Sequence, residues 1–420
     1  MNLNHVRGSF FWPTRTKVLC MICAIVNCFA DGLTYVMTGI ITQAVAEDLK
    51  CTDGFVSFWG GIQLALVAGS GPLSAVLLRR IGMRKLGTIT GLTSFGTLCM
   101  MSVARSTFTL ALAMCLQGVC IGILYTSSVV VVQKVYTGNF SQVNVVLLIA
   151  SISTNATAPL IQILLEHYGW RGAVVILAAV HLHIPVFSLL LDIKIGKTKA
   201  DPKDTLEELG QHNFIVYGNA FLKGAIKSLH AFKGNSQLIA LFLNAVCNGF
   251  YHTAYCLFMV PYAVENGITA FDSSTLIALP VIPCILIRLA IFFHGKIDVP
   301  CTVRLHAIGQ VSEFCSCFFI TFGRRLSMFY VGSILHGFAF GIHFYSMLCL
   351  APAFVNKSFR DYALSWIIFS DGLAVIATAI VGLYTNSYLL GFQISSGVQI
   401  CAVALVIYIG LLNGQILGRI

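Results

Sequence analysis

Long apolar runs alternate with short polar breaks from one end of the chain to the other. A helix needs about 20 apolar residues to cross the hydrocarbon core of a bilayer. Twelve such runs can be marked, at 18–44, 55–78, 86–102, 108–132, 143–165, 173–191, 238–264, 273–293, 303–322, 326–350, 362–384 and 388–412. The first run is too long for the apolar core of a signal peptide and lacks a small-residue cleavage site, so it reads as a span. The one long hydrophilic stretch, 192–236, carries Lys194, Lys197, Lys199, Asp201, Lys203, Asp204, Glu207 and Glu208. It divides the chain six and six. The pattern predicts an all-α polytopic membrane protein with six-helix bundles over 18–191 and 237–412, a linker at 192–236, and short ends at 1–17 and 413–420.

Composition agrees. Of the 420 residues, 57% are hydrophobic and only 10% are charged, against about 25% charged in soluble proteins. Too few charges remain to cover a water-facing surface, which excludes a soluble enzyme, a secreted disulfide scaffold and a disordered chain. The net charge of +10 does not form a stripe on an amphipathic face, so nucleic acid is not the expected partner. Most of the 15 cysteines lie inside apolar runs, where a thiol behaves as a small hydrophobe. No spacing suggests a metal site, a nucleophile constellation, a phosphate loop or a cofactor.

Basic residues also orient the chain. If both ends are cytoplasmic, 20 of the 26 Lys and Arg fall in inside segments and five in outside ones, with Arg288 inside the eighth run. That bias is the positive-inside rule. The sequons at Asn139 and Asn356 then face the cytoplasm and Asn155 lies within a span, so none is expected to carry glycan.

Two six-helix halves joined by a long cytoplasmic loop is the layout of major facilitator transporters, whose halves rock about a midplane site. Gly71-Pro72 followed by Arg79-Arg80-Ile81-Gly82-Met83-Arg84-Lys85 resembles the loop signature of that superfamily. Glycine permits a tight reversal, and Arg79, Arg80, Arg84 and Lys85 are expected at a cytoplasmic gate, where cations suit helix C-termini. Tyr168-Gly169-Trp170-Arg171-Gly172-Ala173, Phe58-Trp59, Gly118-x-x-x-Gly122, Thr34-Tyr35 and Thr38-Gly39 resemble the monocarboxylate transporter family over roughly residues 30–191, and the chain is identified as a divergent member. The resemblance implies transport of a small organic acid, with or without a proton, and a single-span immunoglobulin-like ancillary glycoprotein at the plasma membrane. The departures are specific. Thr16–Met21 stand where the family has its Asp-Gly-x-Trp-Gly-Trp entry, the helix-one lysine position falls near Gly39, and the helix-eight aspartate is Cys284. The basic run before the fifth span is replaced by 137–142.

Ionisable residues inside spans are costly and are functional candidates. Arg288, just past Pro280 and Pro283, is the expected carboxylate contact, because a guanidinium can hold a carboxylate through two parallel hydrogen bonds. The competing expectation is a structural pair with Asp371 or Glu313. Tyr35, by its match to a cavity position of the family, and Tyr255 are the other expected substrate contacts, and Tyr251, Phe250 and Tyr345 could complete an aromatic wall. Asp31, Asp371, His252 and His336 are the coupling or proton candidates, the histidines because imidazole titrates near neutral pH. Glu313, in a span expected to be peripheral, ranks lower, and His343 shares a face with His336. The sequence supports a secondary-active or facilitative transporter working by alternating access, for a small organic acid or a related amphipathic metabolite. The alternative is a non-transporting receptor or scaffold on a carrier fold.

Overall fold

The structure is a computed structural model describing residues 14–136, 140–191, 232–294, 297–356, 360–384, 387–412 and 414. Most of the linker expected at 192–236, and with it Lys194 to Glu208, lies outside the described residues, as do the sequon at Asn139, Lys296 and Lys357.

Among the described residues all regular structure is helical. The first half comprises α1 (Thr14–Leu49), α2 (Asp53–Gly69), α3 (Gly71–Ser102), α4 (Thr107–Val135), α5 (Phe140–Ser153), a 3₁₀ turn (Thr154–Thr157), α6 (Ala158–His181) and α7 (His183–Leu189). The second comprises α8 (Ser236–Glu265), α9 (Ala270–Ala278), α10 (Val281–His294), α11 (Val299–Phe322), α12 (Leu326–Ala353), α13 (Arg360–Tyr384) and α14 (Tyr388–Leu412).

These helices are the twelve expected spans, cut or joined where local chemistry demands. The second and third spans run together in α3, and the axis breaks at Gly82, whose φ of 76° suits glycine and strains other residues. Gly169, with φ 66° inside α6, separates the fifth span from the sixth in the same way. The fifth span is also tightened into a 3₁₀ turn at Thr154–Thr157 before Pro159. Asn155, expected inside a regular helix, sits in that turn. The eighth span breaks at Leu279–Pro280 between α9 and α10, where a proline lacks the donor a helix interior requires. Among the described residues, seven helical stretches are long and apolar enough to cross a membrane as they stand, and one of them, 145–189, contains most of the fifth and sixth spans together.

Many polar side chains are buried while many large apolar ones face outward. Val103, Phe108, Ile282, Phe293 and Ile400 are exposed, whereas Gln63, Gln117, Asn244 and Gln399 are buried. That inversion suits lipid, which offers polar groups no partners. Close packing relies on small residues. A Cβ on Gly118 or Gly122 would strike the carbonyls of Gln63 and Val67 on α2.

The halves meet along α1 against α8, α2 against α13, and the broken fifth span against α9 and α10. At one end the seam is tight. A Cβ on Gly39 would strike the Cys256 carbonyl, one on Gly54 the Gly382 carbonyl, and one on Gly61 the Cβ of Ala379. Tyr388 Oη also donates to Asp53 Oδ2 at 3.0 Å across the halves. The opposite end carries Leu191 and Phe232, and there Asn235 Nδ2 donates to the Phe354 carbonyl at 2.5 Å.

Candidate functional site

Between the halves lies a cavity of about 210 Å³. Its wall draws on residues 340–348 of α12 and 367–371 of α13, so it occupies the middle of the bundle and the part toward Leu191 and Phe232. The first half contributes Asp31 and Tyr35 from α1, Tyr125 from α4, and Leu148, Ser151 and Asn155 from the fifth span. The second contributes Asn248 and His252 from α8, Arg288 from α10, Glu313 from α11, Phe340 and His343 from α12, and Asp371 from α13.

Local sequence places these groups. Thr34, Thr38 and Thr42 each bond the carbonyl four residues back along α1, a pattern that often bends helices, and Asp31 and Tyr35 lie on that segment. Gly32 lets α1 approach the 3₁₀ turn, since a Cβ there would strike Thr154 and the Ser151 carbonyl. The break at Pro280 starts a new helix, α10, that carries Arg288 into the wall.

Arg288 is 3% exposed. Its Nη1 donates to the Leu148 carbonyl at 2.7 Å across the halves, and its guanidinium carbon sits 5.3 Å from the centre of the Phe340 ring. Among the described residues it makes no ion pair, and the expected structural pairing with Asp371 or Glu313 is replaced by the Leu148 carbonyl and the Phe340 face. Asp31 and Asp371 come from opposite halves and lie within electrostatic range of each other. Asp31 Oδ1, Glu313 Oε2 and His343 Nε2 are buried without a protein partner, and buried polar atoms usually have one. The cavity wall therefore presents one cation, several acids and several unspent hydrogen-bonding atoms.

Arg288, Tyr35, Asp31, Asp371 and His252 thus share one cavity. Tyr255 does not line it. Its hydroxyl donates to the Leu276 carbonyl at 2.5 Å and contacts Ser333 Oγ at 2.8 Å, tying α8 to α9 and α12. His336 is also sealed behind the wall, 2% exposed. Tyr251, Phe250 and Tyr345 are absent from the wall, whose aromatic members are Tyr35, Tyr125, Phe340 and Phe344. Glu313, expected to be peripheral, lines the cavity instead. Arg84 and Lys85 are exposed, and the side chains of Arg79 and Arg80 lie outside the described residues. The Trp170-Arg171 pair lies at the other end of the bundle. Arg171 meets Asp48 at 2.7 Å and the Ser102 carbonyl at 2.8 Å, and Trp170 Nε1 donates to Asp48 at 3.1 Å.

The model of the Major Facilitator Superfamily matches residues 20–298. The chain belongs to that superfamily. Among curated relatives, Monocarboxylate transporter 11 of Mus musculus is 26% identical over 275 residues, covering 62% of this chain and 56% of its own length. Monocarboxylate transporter 2 of Rattus norvegicus is 23% identical over 279 residues, covering 61% and 54%. The chain spans about half the length of these relatives. Solved structures share the fold: a peptide transporter, POT, superposes with a TM-score of 0.74 at 14% identity over 97% of each chain. The nucleoside transporter NupG superposes with a TM-score of 0.69 at 15% identity, over 94% of this chain and 99% of its own. This superfamily member is therefore a multi-pass membrane protein, and its relatives and structural neighbours are transporters rather than enzymes.

Proposed function

We propose that the protein is a secondary carrier that moves a small, monocarboxylate-like organic acid across the membrane by alternating access. One observation carries the reading: a buried arginine at a cavity between the halves, bonded to a backbone carbonyl and packed on a ring, with no ion-paired acid among the described residues. A charge in mid-span costs roughly 2.5–3.5 kcal/mol on insertion scales, and a carboxylate ligand would offset it. Arg288 is the anion contact and Tyr35 a hydroxyl donor on the same cavity wall. Asp31 and Asp371 are the acids open to the cavity that could answer a coupling cation or proton. The linker expected at 192–236 and both chain ends are assigned to the cytoplasmic side, where Arg79, Arg80, Arg84 and Lys85 form the gate. A plasma-membrane location and a single-span immunoglobulin-like partner follow from the monocarboxylate resemblance. Normal surface delivery in cells lacking such glycoproteins would remove that partner.

The test is uptake of labelled pyruvate and L-lactate into proteoliposomes holding the full chain. Wild type accumulates one of them, and Arg288→Ala does not, though it inserts normally. Arg288→Lys recovers little, because an ammonium lacks the planar fork. Near-normal uptake by well-inserted Arg288→Ala would sink the assignment.

A further inference from the structure

A line of buried ionisable groups leaves the cavity wall at His252, passes behind it through His336 and returns to it at Glu313. His252 Nδ1 and His336 Nε2 are 3.2 Å apart, and His336 Nδ1 lies 3.1 Å from Glu313 Oε1. The three residues come from α8, α12 and α11. They form an unbroken hydrogen-bonded line from the partly exposed His252 to Glu313, which is 1% exposed. Ring stacking holds both imidazoles in place. Phe340 lies on His252 at 4.0 Å and 12°, and Tyr255 on His336 at 4.2 Å and 29°. The remaining nitrogen of His252, Nε2, faces the cavity-lining Cys256 Sγ at 3.8 Å, and a thiol suits either protonation state because it both donates and accepts.

We propose that His252, His336 and Glu313 form a proton relay with its store at Glu313, and that Arg288 controls its cavity end through the shared ring of Phe340. The proposal rests on the carrier reading above and adds the coupling route. Each transfer balances. A proton from the cavity binds His252 Nε2, the Nδ1 proton of His252 passes to His336 Nε2, and the Nδ1 proton of His336 passes to Glu313 Oε1. Both imidazoles end neutral in their other tautomer, and Glu313 changes from carboxylate to carboxylic acid. Release runs the same steps backward.

Phe340 carries the guanidinium of Arg288 at 5.3 Å and His252 on the same ring system. A fixed positive charge there opposes a second one arriving at His252, by Coulomb repulsion in a site of low dielectric. A carboxylate bound to Arg288 cancels that opposition, so the anion and the proton load together. This arrangement supplies a proton site where the helix-eight position holds Cys284. The other titratable groups facing the relay are Asp31 and Tyr35 of α1, Asp371 of α13 and His343 of α12. Tyr251 of α8 places its ring 5.3 Å from His336, Cys317 of α11 lies within electrostatic range of Glu313, and His306 of α11 stacks near His343. None of these is hydrogen-bonded into the line.

Two measurements test the relay. Infrared difference spectra of the full chain in nanodiscs, taken across a pH step, should show a carboxylic-acid band that is absent in Glu313→Gln and displaced in its pH dependence by His336→Asn. In proteoliposomes, Glu313→Gln should lose accumulation of labelled pyruvate driven by a pH gradient while keeping pyruvate counterflow, which needs no net proton movement. His252→Asn should also lose accumulation, and Glu313→Asp should restore part of it. A merely structural role for Glu313 would remove counterflow along with accumulation, and that result overturns the proposal. So does gradient-driven accumulation in well-inserted Glu313→Gln. If wild type shows no pyruvate counterflow, the substrate reading fails and the spectra decide the relay separately: a band unchanged by Glu313→Gln ends it.

Discussion

The two halves share an architecture and spend their buried polar groups differently. In the first half, polar contacts are short and local. Hydroxyls bond carbonyls one turn back, and small clusters join two or three spans, as where Asn27 donates to Ser128 at 2.7 Å, or where Ser94 meets His181 at 2.8 Å and Gln117 at 3.1 Å. In the second half the contacts are continuous. Gln310 accepts from Asn244 at 2.8 Å and Asn248 at 3.1 Å and donates to Gln399 at 2.7 Å, while His306 reaches Asn244 at 2.9 Å and Ser346 at 2.7 Å. Beside that network runs the line from His252 to Glu313. A half built from isolated polar pairs can seal and pivot. A half with connected polar groups can move a charge inward without leaving any intermediate group unsatisfied.

That contrast can be broken experimentally. The largest effect is expected from Arg288→Ala, which removes the second half's cavity charge and abolishes uptake in the proteoliposome assay. Next is Gln310→Leu, which removes one acceptor from Asn244 and from Asn248, leaving them the Ala402 carbonyl and Asn244 Oδ1, and orphans Gln399 Oε1. Orphaned buried groups cost about 1–3 kcal/mol each, so thermal unfolding of the purified chain should move down by several degrees. Asn27→Ala in the first half removes bonds to Ser128 and Cys23, which keep the Leu124 carbonyl and Ser188 Oγ as partners, and should cost about 1 kcal/mol. If the Asn27→Ala shift equals that of Gln310→Leu, the halves do not differ as described. The smallest effect belongs to Asp48→Asn. Its ion pair with Arg171 is 38% and 45% exposed by side chain, and such pairs contribute about 0.2–1 kcal/mol. Raising salt should shrink the difference further.

Much of this was legible in the sequence. Twelve spans, the six-and-six division and the glycine breaks follow from run length and from residues with special backbone preferences. Arg288, Asp31 and Asp371 stand out because a charge inside an apolar run is expensive. What the sequence hides is who meets whom. His252 and His336 are separated by 84 positions, and no periodicity within one span reports a contact between two. Phe340 carries no signal at all, being one of 30 phenylalanines, yet it joins Arg288 to His252. Glu313 looked peripheral because span order, not contact, set its rank. Tyr255 looked like a cavity residue because an aromatic near a predicted site resembles a wall, whereas its hydroxyl is spent on helix packing.

The tight end of the seam has a mechanical consequence. Gly39 against a carbonyl, Gly54 against a carbonyl and Gly61 against an alanine methyl make two closely apposed faces of small residues, latched by the Tyr388–Asp53 hydrogen bond. Such faces part like a door from its jamb, by swinging as rigid pieces once the Tyr388–Asp53 latch is released. A single added methyl would act as a wedge, holding that end ajar and biasing the protein toward the opposite orientation of its cavity.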